Sequence, residues 1–483
     1  MNFVFDFGNL KNEDEKDYIR CIIKESIQKI FYKSEEKNNE KLKKLEKLAS
    51  DMIIEAQNYI RTFNDKSAVS LREIRRFNVF YEFFYYYLKN RKEFFERENK
   101  NQLDKVVNNF FLNLNDYLIQ IYSINLSIFV CYYLRIIDKE KRNGLYLIMN
   151  KLFQNFDESF QNKDFLELPL QEERFIVDNL KLDKGIAKNR ALLENIFSLF
   201  VAINNKVPIF IVGKPGCSKS LSVQLLLKSM QGNSSNNMFF KSLPKIMVFS
   251  YQGSLASTSL GVENIFMKAR IVYKSLKSED KKNNISLIFF DEMGLAENSP
   301  NNPLKVIHFE LEYDQNEGEK KVAFVGISNW VLDAAKMNRG ISISIPEPDE
   351  IDLKETALTI GKSYDEFLSE RYKIFYENLG KAYFLYKKYL NEKHNLDGKA
   401  DFHGNRDFYH LIKNISKNIV EKHKKNQLND QSLLEIAINS IERNFSGIIF
   451  NNDKKSSFEI FRKIFKDIYP ECQEKKYNAI VSE

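Results

Sequence analysis

Glycine, lysine and hydroxyl side chains fall together in Gly213-Lys214-Pro215-Gly216-Cys217-Ser218-Lys219-Ser220. Gly213 and Gly216 let a loop backbone curl so that successive N–H groups point inward, a cradle suited to phosphate oxygens. A lysine beside a serine completes that chemistry. Lys219 supplies a point charge for β- and γ-phosphates, and the Ser220 hydroxyl supplies a ligand for Mg²⁺. With Leu221 entering a helix, the positive end of the helix dipole adds to the cradle. The stretch follows the P-loop pattern G-x-x-x-x-G-K-[ST] except at Ser218, where the second glycine belongs. A flexible turn with a chance Lys-Ser pair is the plainer alternative for these residues alone.

A second group lies downstream. The apolar run 285–290 ends in two carboxylates, Asp291 and Glu292. Asp291 suits Mg²⁺ binding through the ion's water shell, and Glu292 suits orientation and deprotonation of an attacking water. Such a run before Asp-Glu is common as plain structure, but its presence after a phosphate loop in one chain points to ATP with Mg²⁺. A further run, 322–328, delivers Asn329 to its tip. There a side-chain amide can orient the water against the γ-phosphate; a turn-forming asparagine is the other reading.

These residues need a scaffold that gathers strand ends. The segments 209–212, 246–250, 285–291, 322–328 and 341–345 are short, apolar and separated by helical patterns, which predicts a doubly wound parallel sheet. Its ligand site belongs at the carboxyl ends of the strands, where Gly213, Asp291 and Asn329 fall. Segments 221–230 and 260–276 read as crossover helices, and Pro303 as the first helical residue before 304–311. Residues 1–160 read as all-α, with apolar residues at helical spacing in 15–31, 39–61, 70–97 and 103–137. Ser70 and Glu73 make a capping box at the third of these. After Glu350 the chain is helical again to about Tyr469.

Composition narrows the class. The 73 basic residues are interspersed with 66 acidic ones, so the net charge of +7 gives no basic stripe and no nucleic-acid partner is expected. Cys21, Cys131, Cys217 and Cys472 are isolated, which argues against a zinc module or disulfide scaffold and fits a reducing, cytoplasmic setting. Cys217 reads as a small residue in a tight loop rather than a reactive thiol. The run 117–134 carries no charge, but Gln120 and Asn125 within it favour a buried core helix over a membrane span, and no transmembrane anchoring is expected. The aromatic run 80–87 reads as core.

Together these residues resemble the AAA+ core of the mysterin-type giant ring-finger ubiquitin ligases, which carry a dynein-like array of ATPase modules. The matching stretches begin with Asn189-Arg-Ala-Leu-Leu-Glu-Asn195, Gly213–Leu221 and Asp291-Glu-Met-Gly-Leu-Ala-Glu297. Gly326-Ile-Ser-Asn-Trp330 with Leu332-Asp333, Lys336-Met-Asn-Arg-Gly340, Gly404-Asn-Arg-Asp-Phe-Tyr409 and Arg443-Asn-Phe445 follow. That family has the same serine in place of the second P-loop glycine, so Ser218 belongs to the resemblance. The resemblance implies an α/β AAA+ P-loop NTPase module at 165–350 with a C-terminal helical lid at 351–470. It makes Asn329 a sensor 1, Arg406 a sensor 2 that reaches the nucleotide from the lid, and Arg339 an arginine finger facing a neighbouring module. Residues 5–10 and Ser70-Leu-Arg72-Glu-Ile resemble the lid of a preceding module, with Arg72 as that module's sensor 2 and 1–160 as its helical region. Neighbouring AAA+ modules and ubiquitin-pathway proteins are the implied partners. The chain shows no Cys/His-rich ring segment, so ubiquitin transfer is expected of a larger parent. No following module is seen after residue 460, so slow turnover is expected of the isolated chain.

Three function classes are open to such a chain. The first is an ATP-hydrolysing AAA+ module that couples turnover to conformational change in a ligase array, and the retained pair Asp291 and Glu292 favours it. The second is a module in which ATP serves as a structural tie with little turnover. The third, a nucleic-acid-remodelling ATPase, lacks the basic stripe it needs.

Overall fold

The structure is a computed structural model and describes residues 12–33, 38–64, 69–98, 114–316, 322–394, 402–450 and 455–469. Residues 5–10, Cys472 and the part of the expected helix 103–137 before residue 114 lie outside the described residues. Contacts divide the chain into two compact units. One comprises Met1–Asn179, Ile196–Val212 and Ser229–Pro346; the other comprises Leu180–Asn195, Gly213–Lys228 and Glu347–Glu483.

The first unit holds the sheet. Its strands are β1 (Ile209–Val212), β2 (Lys245–Gln252), β3 (Asn284–Asp291), β4 (Val322–Ser328) and β5 (Ile341–Ser344), paired in parallel in the order β2-β3-β4-β1-β5. Every residue of β1 and β4 is buried, as uncharged runs in the middle of a parallel sheet must be. The edge strand β2 instead alternates buried with more exposed positions. Register aligns Val212 with Ser328 and Ser344, and Phe290 with Gly326, so the carboxyl ends of β1, β3, β4 and β5 share one edge. The helix Ser259–Ser275, capped by Thr258, buries Val262, Phe266, Ala269 and Tyr273 at helical spacing. Phe266 packs in one cluster with Phe210, Phe290 and Phe324. The helix expected at 304–311 begins instead as a 3-10 turn, Pro303–Val306, because Asn302 enters it from a left-handed φ of 45°, and the α-helix proper is Ile307–Asn316.

The N-terminal helices belong to the same unit. Asn12–Phe31, Asn39–Arg61 and Leu71–Glu98 are followed by Asp116–Ile128, which runs into a wider π turn, Phe129–Tyr133. This uncharged run is the one stretch among the described residues long and apolar enough to cross a membrane, and 94% of its most apolar window is buried within the protein. Some of its polar atoms find partners inside: Tyr81 donates to Gln120 Oε1 at 3.0 Å, and Asn125 Nδ2 donates to the Phe165 carbonyl at 2.8 Å. Aromatic side chains join these helices to the end of the helix Arg190–Asn204. Phe84 stacks on Phe197 with centroids 6.1 Å apart, and Phe83 and Tyr87 meet Phe200 edge-on. Beside them Arg91 and Tyr87 share the buried carboxylate of Glu172, at 2.9 and 2.6 Å.

The second unit is helical. Glu350–Tyr364, Glu366–Arg371, Lys373–His394, Asn405–Lys424, Asp430–Phe445 and Ser457–Ile468 enclose Tyr376, Tyr383, Tyr386, Phe408, Phe445 and Phe461. Residues 213–228, expected as part of an α/β domain at 165–350, are grouped with these helices. Their polar contacts, described next, run to the lid.

Candidate nucleotide site

The phosphate-type loop leaves β1 after Val212 and enters the helix Lys219–Ser229. Gly216 has φ 88° and Ser218 φ 57°. Ser218 therefore stands in the left-handed conformation that glycine would supply at the same place in the usual pattern. A Cβ on Gly216 would lie 2.8 Å from Asn405 Cβ and 3.4 Å from the Arg406 backbone N, so glycine permits the loop to lie against the start of the helix Asn405–Lys424. Tyr409 donates its hydroxyl hydrogen to the Gly216 carbonyl at 3.0 Å, and Asn195 Nδ2 donates to the Cys217 carbonyl at 3.0 Å. Lys214 pairs with Glu347. Burial pushes the Cys217 thiol above its usual range, which matches a packed small residue rather than a reactive thiolate.

Lys219 is 6% exposed, and its Nζ donates to the carbonyls of Gly213 and Lys214 at 2.5 and 3.0 Å. The cation thus lies within the curl of the loop, with Ser220 next to it at the start of the helix. This donor set fits a phosphate chain and its Mg²⁺: backbone N–H groups in a glycine curl, one buried cation and a hydroxyl. Arg406, expected to reach the nucleotide, has an exposed side chain at the second helical position after Gly404. Its backbone, rather than its guanidinium, is the part that meets the loop.

In the sheet-bearing unit, Asp291 closes β3 and Glu292 follows with φ 52°. A glutamate held in this region carries backbone strain, a frequent mark of working residues. Asp291 Oδ1 accepts the Glu292 N–H at 2.9 Å, and the Asp291 carbonyl accepts the Gly253 N–H at 2.8 Å, which fixes the turn. Asn329, one residue past β4, donates its Nδ2 to Glu292 Oε2 at 2.9 Å. The expected pair is thereby brought together at the carboxyl edge of the sheet.

Arg339 follows the short helix Ala334–Met337. Its Nε donates to His308 Nδ1 at 3.2 Å, and its Nη1 pairs with Glu312. Arg72 reaches the same Glu312 oxygen at 3.6 Å. The adjoining Arg76 donates to the Asn338 carbonyl at 2.7 Å. Glu73 accepts from Arg76 and Arg135 and also caps its own helix through Ser70, at 2.7 to 3.0 Å. Sequence reasoning singled out Arg72 and Arg339 separately and missed Glu312 and His308, whose i, i+4 spacing on one helix face was the available signal. It also missed Tyr409, Asn195 and Glu347. Tyr409 and Asn195 ended matched stretches without a stated role.

A five-stranded parallel sheet in this order, with such a loop after the inner strand β1, Asn at the end of the adjoining β4 and Asp-Glu at the end of β3 beyond it, defines an AAA+ P-loop module. Residues 185–352 match a family model described as the RNF213 AAA domain. The chain is 33% identical over 426 residues to "E3 ubiquitin-protein ligase RNF213" of Homo sapiens, covering 85% of this chain and 7% of that protein. It is 32% identical over 472 residues to "E3 ubiquitin-protein ligase rnf213-beta" of Danio rerio, covering 96% of this chain and 8% of that one. The Mus musculus RNF213 ligase is 29% identical over 456 residues, with 92% and 8% covered. The chain carries an AAA+ core of the RNF213, or mysterin, family, and spans under a tenth of the length of these relatives.

Proposed function

We propose that the chain binds ATP with Mg²⁺ and hydrolyses it, as one module of a longer ubiquitin-ligase array in which turnover drives conformational change. Gly213, Lys214, Pro215, Gly216, Cys217, Ser218 and Leu221 form and support the cradle, and Lys219 holds the β- and γ-phosphates. Ser220 and Asp291 hold Mg²⁺, which neutralises phosphate charge when bound. Glu292 takes the proton of the attacking water, and Asn329 positions it. Arg406 serves the same nucleotide from the lid, and Arg339 serves the nucleotide of a neighbouring module. The observation that carries this reading is the Asn329–Glu292 hydrogen bond of 2.9 Å at the strand edge, a carboxylate oriented by an amide as a general base needs. Ubiquitin transfer would belong to the longer parent, as the names of the relatives suggest. Cys21, Cys131 and Cys217 are free thiols, which supports a reducing, cytoplasmic setting.

Glu292→Gln tests this reading. The amide keeps shape but cannot take a proton, so turnover should fall about 10²–10⁴-fold while ATP stays bound. Undiminished turnover would remove Glu292 from the role. A second reading, ATP as a structural tie with little turnover, is favoured by the ties from Tyr409, Asn195 and Glu347 to the loop. Wild-type turnover measured against Glu292→Gln separates the two: a slow rate that the variant abolishes is hydrolysis at this site, and equal rates in both mean a structural tie.

A further inference from the structure

Glu292 sits at φ 52°, and a strained residue persists only where its surroundings over-determine it. In the sheet-bearing unit those surroundings close on it from two sides, each time across a glycine. A Cβ on Gly253 would collide with the Glu292 carbonyl oxygen, so the chain leaving β2 runs directly against that peptide. On the β4 side the fit is reciprocal. A Cβ on Gly326 would collide with Met293 Sδ, and a Cβ on Gly294 would lie 2.5 Å from Trp330 Cε2 and 2.6 Å from Cζ2. Met293 thus fills the gap left by a glycine in β4, and Trp330, two residues past β4, fills the gap left by the glycine beside Met293. These two contacts bracket the Asn329–Glu292 hydrogen bond of 2.9 Å.

The tip of β4 is pinned as well. Ser328 Oγ donates to the Trp330 carbonyl at 2.6 Å and accepts the Trp330 N–H at 3.3 Å, which closes a turn with Asn329 at its middle. At the far end of the helix Met293–Glu297, Glu297 Oε1 accepts the Asp333 N–H at 3.1 Å and Lys336 Nζ at 2.8 Å. Met293 is wholly buried in the cluster of Phe210, Phe290 and Phe324, so core packing accounts for it. Trp330 is 39% exposed, and what its contact fixes is the separation of two strand-end segments. We propose that Trp330 is a positioning residue for ATP hydrolysis: its indole, seated on Gly294, holds Asn329 against Glu292 and holds Glu292 in its strained backbone. This rests on the reading of Glu292 as the general base, and adds what keeps that base in place. Without the ring Glu292 relaxes toward negative φ and the amide moves off the carboxylate, while the loop 213–220 is left as it was. A misplacement of about 1 Å in a reacting group can cost on the order of a hundredfold in rate.

The test is hydrolysis of radiolabelled ATP by the full chain under single-turnover conditions, with ATP affinity read by titration calorimetry. Trp330→Ala should lower the saturating rate on the order of tenfold to a hundredfold and leave ATP affinity in place. Trp330→Phe, which keeps a flat ring on Gly294, should recover most of the rate. Gly294→Ala, which intrudes on the seat from the other side, should lose rate as Trp330→Ala does. Trp330 is the single tryptophan of the sequence, so its emission reads the seat directly. In Gly294→Ala that emission should shift to the red and open to acrylamide quenching, with the chain still folded by circular dichroism. Added to Glu292→Gln, Trp330→Ala should cost no further rate, because a residue acting through the base has nothing left to position. Wild-type rates in Trp330→Ala and Gly294→Ala overturn the proposal, as does a rate loss matched by an equal loss of ATP affinity, or a further loss in the double variant. The base assignment fails separately: undiminished turnover in Glu292→Gln alone removes it, and this inference with it, whatever the Trp330 variants do.

Discussion

Replacing Gly216 by alanine tests whether the phosphate loop rests on a backbone conformation that glycine alone enters freely. Gly216 has φ 88°, and a side chain in the left-handed region costs roughly 1–2 kcal/mol. The new Cβ would also lie 2.8 Å from Asn405 Cβ, closer than real Cβ atoms approach. Either the loop or the start of Asn405–Lys424 must shift, at an overpacking cost of about 1–3 kcal/mol. The sum, about 2–5 kcal/mol, corresponds to a fall in melting temperature of at least about 4 °C for a unit of this size. The Tyr409–Gly216 hydrogen bond should loosen with the shift and ATP affinity should drop. Ser218→Gly is the matched comparison, because its φ of 57° already asks a serine to sit where glycine is at ease. Relief of about 1–2 kcal/mol is offset by the roughly 0.5–1 kcal/mol of extra freedom glycine has when unfolded, so that variant should be neutral or slightly more stable. Scanning calorimetry reads both variants, and titration calorimetry reads ATP. A Gly216→Ala chain that melts within about 2 °C of wild type and binds ATP equally would refute the reasoning.

Lys219→Ala removes the cation inside the loop and should weaken Mg-ATP binding on the order of tenfold to a hundredfold in titration calorimetry; unchanged binding would sink the phosphate-loop assignment. Glu73 is 3% exposed: burial alone would raise its carboxyl, but Arg135 and Arg76 hold it below the usual range. Glu73→Gln should therefore cost about 3–5 kcal/mol in urea unfolding, since two arginines lose a shared buried partner, and a loss under about 1 kcal/mol would mean the network is not rigid. His403 is 3% exposed beside Tyr386, and burial pushes its imidazole below 6.5, so the folded state binds its proton less well than the unfolded chain. That contribution is whole above about pH 6.5 and is lost as pH falls through the lowered value. Between pH 7 and 5 the wild type should lose more melting temperature than His403→Gln; parallel curves would exclude the histidine.

The strands were the most legible part of the fold. The segments 209–212 and 322–328 match β1 and β4 residue for residue, because central parallel strands are uninterrupted apolar runs bounded by turn residues. The placement of Asn329 at the tip of β4 followed from the same pattern. What the pattern could not carry were partners set by tertiary contact. Nothing near Gly216 in sequence announces Tyr409 or Asn405, and nothing near Arg72 announces Glu312. The backbone sign at Ser218 and Glu292 was hidden too, since neither residue type prefers positive φ. The grouping of 213–228 with the lid depends on side chains from a helix nearly two hundred residues later.

The aromatic seam between the N-terminal helices and Phe197, Phe200 and Phe239 bears on how such a chain is made and cut. During synthesis Phe83, Phe84 and Tyr87 leave the ribosome before β1 exists, so the sheet-bearing unit condenses onto a surface already present. A fragment trimmed to the matched span 185–352 would keep one side of that seam and discard the other. Its Phe197, Phe200 and Phe239 would then face water and invite aggregation. For this chain the span matched by the family model is narrower than the span that must fold together.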